Sequence, residues 1–179
     1  MPTVLAILAE GFEEIEAITP IDLLRRAGVQ VTVAALGDSI QATGRNGITA
    51  HADTTLAQAP AEVADCLFLP GGPGVKHLRE SQLVIDLVRR YHAAGRVVAA
   101  ICAAPTVLLD TGILANRRYT AHAAVANELP EIITHERIVW DGNILTSRGA
   151  GTALDFGLAL VERLCGQETS RKIAESIHA

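Results

Sequence analysis

The chain has 179 residues, of which 49% are hydrophobic and 20% charged, and its formal net charge is −5. A chain of this length is most simply one domain, spanning residues 1–179, that buries roughly 70% of its unfolded surface. The high hydrophobic and low charged fractions exclude a disordered protein. The sequence has no basic run and no stripe of aromatic and basic residues, so we expect no surface that binds nucleic acid specifically.

The N-terminus has neither a positive n-region nor a small-residue cleavage site, so we expect no signal peptide and a cytoplasmic protein. The longest apolar stretch, residues 97–109, is too short to cross a bilayer. Cys66, Cys102 and Cys165 lie far apart, which argues against a disulfide framework and a thiolate metal site. The six histidines show no metal-type clustering, so we expect neither a metal nor a cofactor.

Apolar strands alternate with helices along the chain. Strands are predicted over residues 3–9, 29–35, 66–69 and 96–101, with a short strand after a loop within residues 44–51. Helices are predicted over residues 14–27, from Ser81 to Gly95, and from Ala103 onward, with Leu83 on the buried face of the second. This alternation predicts an α/β fold with a mostly parallel sheet covered on both faces.

The last third of the chain predicts a hairpin and two helices. Residues 137–140 and 144–147 flank an Asp-Gly turn that is typical of a hairpin. Thr152 and Asp155 form a capping-box pattern before a helix that buries a face including Leu154. A polar helix is predicted near residues 168–177.

Ligands of open α/β sheets bind at the carboxyl ends of the strands, and one such end delivers Cys102. Residues 96–101 predict a buried strand, and the following residues predict a helix with Pro105 in its first turn. A nucleophile elbow has this layout and needs small residues nearby, here Ala100 and Ala104. A buried core thiol fits the same local sequence.

Acidic residues follow the end of the first strand. Glu13 and Glu14 are explained as partners of the helix dipole. Glu16 lies between apolar residues on a helix that must bury one face, so its carboxyl group could reach a site formed by neighbouring strand ends.

Two glycine-containing segments and one histidine are further candidates. Residues 70–74 are either a plain turn or a loop whose amides stabilise an oxyanion, and they match neither a dinucleotide fingerprint nor a Walker loop. Gly149 and Gly151 fit a tight helix entry or an anion site. His122, which follows a predicted short strand, is either structural or catalytic.

Together these pieces resemble the ThiJ/PfpI superfamily, in particular the branch of the parkinsonism-associated protein deglycase and the bacterial YajL-type proteins. Five motifs carry the resemblance, namely Glu13-Glu14-x-Glu16 and residues 21–28, 69–72, 100–106 and 145–152. The resemblance implies a flavodoxin-like three-layer sandwich that forms a homodimer, and it favours the elbow interpretation of the cysteine.

Carried over residue by residue, the family's reactive cysteine falls on Cys102, its partner carboxyl on Glu16 and its pocket histidine on His122. The amides that line its oxyanion pocket fall on Gly72 and Ala103.

Three other positions bear on the resemblance. Arg45 matches a family arginine near the dimer interface and the pocket. Ala104 stands where relatives often have glycine, and Ala150 where they often have proline, without loss of a functional group.

The resemblance implies a glutathione-independent glyoxalase or deglycase-type enzyme that protects against carbonyl and oxidative stress. Its substrates would be methylglyoxal, glyoxal or early glycation adducts on amines, attacked by the Cys102 thiolate while Glu16 and His122 move protons. The alternative is a non-catalytic oxidative-stress sensor or redox-regulated chaperone that works through oxidation of Cys102. A protease or amidase is disfavoured because alanine rather than histidine follows the cysteine.

A free thiol with a pKa of about 8.5 is only a few per cent ionised at neutral pH. A helix N-terminus supplies about 0.3–1 kcal/mol of the roughly 2.7 kcal/mol that a mostly ionised thiol requires. Glu16 could supply the remainder through a hydrogen bond only when it is protonated. We therefore predict a carboxyl group kept neutral by burial that titrates with Cys102 as a unit.

Overall fold

The computed structural model describes residues 1–179, and its centre is a seven-stranded sheet in the order β5-β2-β1-β6-β7-β9-β8. Neighbouring strands run parallel except β8 and β9, which form the predicted antiparallel hairpin. The strands of this sheet are β1 (Thr3–Leu8), β2 (Gln30–Ala35), β5 (Thr54–Thr55), β6 (Cys66–Leu69), β7 (Val97–Ile101), β8 (Ile138–Asp141) and β9 (Ile144–Ser147). The short strand predicted within residues 44–51 is β4 (Thr49–His51), and it forms a separate hairpin with β3 (Gln41–Thr43), which the sequence analysis did not predict.

Helices cover both faces of the sheet, as predicted. The helices are α1 (Glu14–Arg26), α2 (Val75–Glu80), α3 (Gln82–Ala93), α4 (Pro105–Asp110), α5 (Ala153–Cys165) and α6 (Gln167–Ser176). One apolar core joins one face of the sheet to α1 and α5, and a second joins the other face to α2, α3 and α4. Because both faces are buried, β6 and β7 are apolar throughout.

The strand order reverses between β1 and β6. From β1 the chain proceeds to β2 and β5 on one side, and then to β6, β7 and β9 on the other. At such a reversal the loops after two adjacent parallel strands leave the sheet in opposite directions and open a crevice. The loops after β1, β6 and β7 therefore converge at the carboxyl edge of the sheet.

A glycine sets the position of α1 above this edge. A methyl group built on Gly157 of α5 would lie 2.6 Å from Leu23 Cδ1 and 3.1 Å from Pro20 Cα of α1. Only glycine therefore allows the two helices to approach this closely. The contact fixes the helix that carries Glu16.

Several local predictions are wrong. Leu83 and Leu154 are 46% and 37% exposed, whereas Ile85 is buried in the α3 face. The residues before His122 form no strand, since Thr120 donates its amide to a side chain, Thr146 Oγ1, rather than to a neighbouring strand's backbone.

Two candidate features are absent. The model contains no helix that combines the length and apolar character of a membrane span. It also contains no cluster of three or more histidine, cysteine, aspartate or glutamate side chains able to hold a metal ion.

Candidate active site

Cys102 occupies the turn between β7 and α4 and has a left-handed backbone, with φ of 66°. A non-glycine residue in this conformation is strained, so the surrounding bonds must hold it there. Its amide donates to the Ser147 carbonyl at 2.9 Å, and its carbonyl accepts the His122 amide at 2.9 Å. The strand-to-helix elbow predicted from the sequence is therefore present.

The small residues around the elbow are explained by packing. Ala100 and Ala104, on either side of the cysteine, are both fully buried. Pro105 is the first residue of α4, where its fixed φ suits a helix start and its missing N–H costs nothing. The cysteine itself is only half-buried, so its sulfur is not part of a closed core.

Glu16 is buried in the first turn of α1, with only 1% of the residue exposed. Glu13 caps this helix, and its carboxylate accepts the Glu16 amide at 2.8 Å. The Glu16 carboxyl group faces the crevice, and its Oε2 atom is buried without a hydrogen-bond partner. An unpartnered buried carboxyl oxygen is costly, which marks this group as more than a helix-dipole partner.

Gly71, which follows β6, brings Glu16 and Cys102 together. A methyl group built on Gly71 would lie 2.3 Å from Glu16 Oε2 and 2.4 Å from Cys102 Cβ. No side chain fits there, so the carboxyl group and the cysteine share the space above this glycine.

Burial raises the pKa of Glu16 to about 7, and the nearby Glu13 charge adds to the rise. The Cys102 thiol and the amides of Gly71 and Ala150 lower the pKa of Glu16 in turn, because hydrogen bonds from these groups favour the ionised carboxylate. At neutral pH this carboxyl group therefore exchanges its proton readily.

Burial and an ionised Glu16 raise the pKa of Cys102 to about 12. The amides of Gly72 and Ala103 act in the opposite direction, because both face the sulfur. A thiolate is therefore compatible with this site only while Glu16 holds the proton. The coupling of the two groups agrees with the sequence prediction, whereas the raised pKa of Cys102 is opposite in direction to the ionised thiol predicted there.

The two amides that face the sulfur come from different elements. Ala103 follows Cys102 in the elbow, and Gly72 follows β6 with φ of 94°. A methyl group on Gly72 would lie 2.6 Å from the Glu13 nitrogen and 2.7 Å from the Gly11 oxygen, so the loop needs glycine. This pair of N–H groups is arranged as an oxyanion pocket would be.

Gly149 closes the site from the side of β9. A methyl group built on it would lie 3.3 Å from His122 Cδ2, 3.5 Å from Glu16 Oε1 and 4.0 Å from Cys102 Sγ. All three predicted side chains, which come from three separate segments, therefore have an atom within 4.0 Å of one point beside Gly149.

His122 is exposed at the rim of this cluster. Its Nδ1 accepts the Ala124 amide at 3.1 Å and caps a short 3-10 helix, Ala123–Val125. An accepting Nδ1 leaves the proton of a neutral ring on Nε2. The donor of a neutral His122 ring is therefore Nε2, and the adjacent Cδ2 atom faces Gly149.

The segment that carries Gly149 is held by two hydroxyl groups. Ser147 Oγ and Thr152 Oγ1 lie 2.6 Å apart, and Thr152 Oγ1 accepts the Gly149 amide at 3.1 Å. The Thr152 hydroxyl does not cap α5, and Asp155 pairs with Arg137 at 2.6 Å instead of completing a capping box. The predicted capping box is therefore wrong, and its threonine serves the active-site segment.

Arg45 lies on the exposed turn of the β3–β4 hairpin, with its backbone amide on the Phe12 carbonyl at 2.8 Å. The turn is fixed by Glu14, whose buried carboxylate accepts the amide and side chain of Asn46 at 2.7 and 2.9 Å. These bonds lower the pKa of Glu14. Glu14 thus has a structural function that the helix-dipole interpretation missed.

A family model described as the DJ-1/PfpI family matches residues 2–163. The chain belongs to this family. Its mostly parallel seven-stranded sheet with helices on both faces matches the fold of DJ-1 structures, which confirms the flavodoxin-like architecture.

Three DJ-1 proteins illustrate the relationship. Protein dj-1beta of Drosophila melanogaster is 40% identical over 177 residues, covering 97% of this chain and 95% of that protein. Its crystal structure has a TM-score of 0.94 with 99% and 98% coverage, and the structure titled "Toxoplasma gondii DJ-1, oxidized" has the same score and coverages at 33% identity. The glutathione-independent glyoxalase DJR-1.2 of Caenorhabditis elegans is 34% identical over 172 residues, covering 94% of this chain and 91% of that protein.

Proposed function

We propose that this member of the DJ-1/PfpI family is a cysteine-dependent, glutathione-independent glyoxalase that acts in the cytoplasm. The observation that carries the proposal is the convergence of Cys102, Glu16 and His122 around Gly149 at the carboxyl edge of the sheet. The relative named as a glutathione-independent glyoxalase supports the choice of reaction.

The first step is addition of Cys102 to the aldehyde carbon of methylglyoxal. A C–S bond forms, the thiol proton passes to Glu16, and Glu16 returns it to the alkoxide oxygen, which gives a hemithioacetal and leaves Glu16 ionised. The Gly72 and Ala103 amides, which face the sulfur, would stabilise the developing oxyanion. A buried carboxylate next to the thiol is a suitable base for this step.

The second step moves a hydrogen between the two substrate carbons. Glu16 removes the proton from the carbon bonded to sulfur, which gives an enediolate, and returns it to the neighbouring carbon, while the hydroxyl proton of the hemithioacetal moves to the second substrate oxygen. The product is a thioester, and water hydrolyses it to lactate and the free thiol. A base whose pKa is raised to about 7 can both accept and return a proton at neutral pH.

His122 would assist from the rim. Because its Nδ1 accepts the Ala124 amide, a neutral His122 ring has its proton on Nε2. That proton would hydrogen-bond the second substrate oxygen, while Glu16 acts on the substrate carbons. Glyoxal would follow the same path to glycolate. Early glycation adducts on amines contain the same reactive carbon and are further candidate substrates.

We also propose a homodimer. Ile15 and Ile18 on α1 are 54% and 46% exposed, and Ile48 beside the β3–β4 turn is 60% exposed. Glu14 ties this hairpin to α1, so the three side chains belong to one region of the surface. A second copy covering this region would also bury Arg45. Light scattering should give a dimer for the wild type and a smaller mass for Ile18→Glu.

A second candidate function is oxidation sensing through Cys102. The unpartnered Glu16 Oε2 beside the sulfur favours it, because a protonated carboxyl group can hydrogen-bond a sulfinate. The relative whose structure is titled "oxidized" adds support. Peroxide treatment followed by mass spectrometry should then convert Cys102 selectively, leaving Cys66 and Cys165 as thiols.

The decisive experiment measures lactate formed from methylglyoxal, without glutathione, by fully reduced wild type, Cys102→Ser and the control Cys165→Ser. We expect turnover by wild type and the control and none by Cys102→Ser. If reduced wild type is inactive, the enzyme proposal fails and oxidation sensing becomes the better account. Equal activity in wild type and Cys102→Ser would show that the chemistry lies elsewhere.

A further inference from the structure

A cavity of about 220 Å³ lies at the amino edge of the sheet, at the opposite edge from the candidate active site. The first residues of β1 and β2 form its floor, and the segment before β6 and Tyr91 of α3 form its walls. The register pairs Thr3 with Gln30 and Leu5 with Thr32. Because side chains alternate along a strand, these four residues lie on the same face of the sheet.

Tyr91 lies at the inner end of the cavity, and only 1% of the residue is exposed. Its hydroxyl oxygen accepts the amide of Ala64, another lining residue, at 3.1 Å. The hydroxyl hydrogen has no acceptor in the protein. Burial raises the pKa of Tyr91, so the phenol keeps this hydrogen at neutral pH. A buried donor without an acceptor is costly, which favours a ligand that supplies one.

The other tyrosine of the chain, Tyr119, provides a comparison. It is 2% exposed, and its hydroxyl oxygen accepts the Glu131 amide at 3.2 Å. It does not line this cavity. The two tyrosines are therefore matched in burial and in their bond to a backbone amide, and they differ in access to the cavity.

The mouth of the cavity is negatively charged. Gln30 and Glu62 are exposed there, and Glu62 forms no ion pair within the chain. The nearby Asp65 carboxylate is already bonded to the Thr3 amide at 2.9 Å and to Arg96 at 2.8 Å. A cation at the mouth would therefore be attracted by Glu62, whereas an anion would be repelled.

The volume of the cavity limits the size of the ligand. An apolar cavity of about 150 Å³ accepts benzene, whereas drug-sized ligands occupy pockets of about 300–1,000 Å³. This cavity lies between the two and has room for one substituted ring. Leu5, Pro60 and Val63 provide apolar surface against which such a ring can pack.

We propose that the cavity binds a small single-ring amine that has a carbonyl oxygen at the end opposite its ammonium group. The carbonyl oxygen accepts the Tyr91 hydroxyl hydrogen, the ring packs against Leu5 and Val63, and the ammonium group lies beside Glu62. The site is separate from Cys102, so it does not depend on the proposed glyoxalase function.

The test uses 4-(aminomethyl)benzamide, which has a carbonyl and an ammonium group at opposite ends of one ring. It is titrated to about 10 mM into isotope-labelled wild type, because a ligand of this size binds in the millimolar range. We expect the NMR amide signals of Leu5, Thr32 and Ala64 to shift. A cavity that holds only water would leave these signals unchanged, and shifts confined to the surroundings of Cys102 would place the compound elsewhere. Either result would overturn the proposal.

Tyr91→Phe keeps the ring and removes the donor. Loss of one hydrogen bond should weaken binding of 4-(aminomethyl)benzamide about fivefold. The matched control Tyr119→Phe should bind it as the wild type does. A second compound, 4-methylbenzylamine, lacks the carbonyl and should bind wild type and Tyr91→Phe equally. Equal affinity of wild type and Tyr91→Phe for 4-(aminomethyl)benzamide would contradict the proposed orientation.

Glu62→Gln keeps the test valid if Tyr91→Phe does not fold, because Glu62 is exposed. At low salt its affinity for 4-(aminomethyl)benzamide should fall about two- to threefold. Its affinity for benzamide, which has no ammonium group, should not change, and the exposed control Glu131→Gln should match the wild type. Unchanged affinity for the amine in Glu62→Gln would refute the cation site. Cys102→Ser should bind as the wild type does, so the result is independent of aldehyde turnover.

Discussion

The two ends of the parallel sheet surround a cysteine with different groups. Cys66 begins β6 at the amino edge, is fully buried, and has its pKa raised by burial and the Asp65 charge. Cys102 follows β7 at the carboxyl edge, is half-buried, and is faced by the amides of Gly72 and Ala103. Burial raises the pKa of both thiols, and backbone amides oppose that rise only for the cysteine at the carboxyl edge.

The same contrast holds for the carboxyl groups. Asp65 at the amino edge is bonded to the Thr3 amide at 2.9 Å and to Arg96 at 2.8 Å. Glu16 at the carboxyl edge keeps a buried oxygen without a partner. Satisfied polar groups stabilise a fold, whereas an unsatisfied one is retained at a cost and points to function.

The largest effect is expected from Gly71→Ala. Its methyl group would overlap Glu16 Oε2 and Cys102 Cβ, so the carboxyl group and the elbow must separate. We expect selective alkylation of Cys102 at pH 7 to change by a factor of ten or more, and a stability loss of about 1–3 kcal/mol. Gly37→Ala, where nothing lies within 4 Å, is the control. Wild-type reactivity and stability in Gly71→Ala would contradict the close approach.

The next effect concerns the charge of Glu16. Glu16→Gln removes the charge that raises the pKa of Cys102 to about 12 and can still donate a hydrogen bond. Its thiol pKa should therefore fall by about one to two units. In Glu16→Leu, which loses the hydrogen-bond donor as well as the charge, the pKa of the Cys102 thiol should fall by less. Alkylation rates against pH measure both, and a Leu variant with the wild-type thiol pKa would refute the coupling.

The Glu16 pKa also predicts how stability depends on pH. Its value rises from 4.5 to about 7 on folding, so the native state retains a proton that the unfolded chain releases. The stabilising contribution is present below pH 4.5 and is lost as the pH rises to about 7. The loss is about 3 kcal/mol. Urea unfolding at pH 4.5 and pH 8 should show it, and Glu16→Gln should lack it.

The smallest effect is expected from His122→Ala. The side chain lies exposed at the rim, so its loss should reduce methylglyoxal turnover by about tenfold or less. Cys102 alkylation and thermal stability should remain those of the wild type. His135→Ala, which removes a side chain that is 82% exposed, is the control. A hundredfold loss of methylglyoxal turnover in His122→Ala would show that the histidine is essential to the reaction and contradict an assisting role.

Much of this arrangement could be predicted from local sequence. The apolar runs of β6 and β7 are long enough to identify buried parallel strands, and Cys102 followed by Pro105 identifies the elbow. The periodicity of apolar residues is less reliable where a helix face meets solvent. The core positions that it predicts for Leu83 and Leu154 are therefore wrong. Capping patterns also misled, because the Thr152 hydroxyl has stronger partners across the turn.

The fold class, the family and the candidate side chains of the site could be predicted from the sequence, since strand patterns and motifs are local. The close approach of the site side chains to Gly71 and Gly149 is visible only in the tertiary structure, and so is the hydrogen bond from the β3–β4 turn to Glu14. The tertiary structure also decided which amides face which atoms. Those facts depend on distances between segments far apart in the chain, and such distances are fixed when helices pack across the sheet.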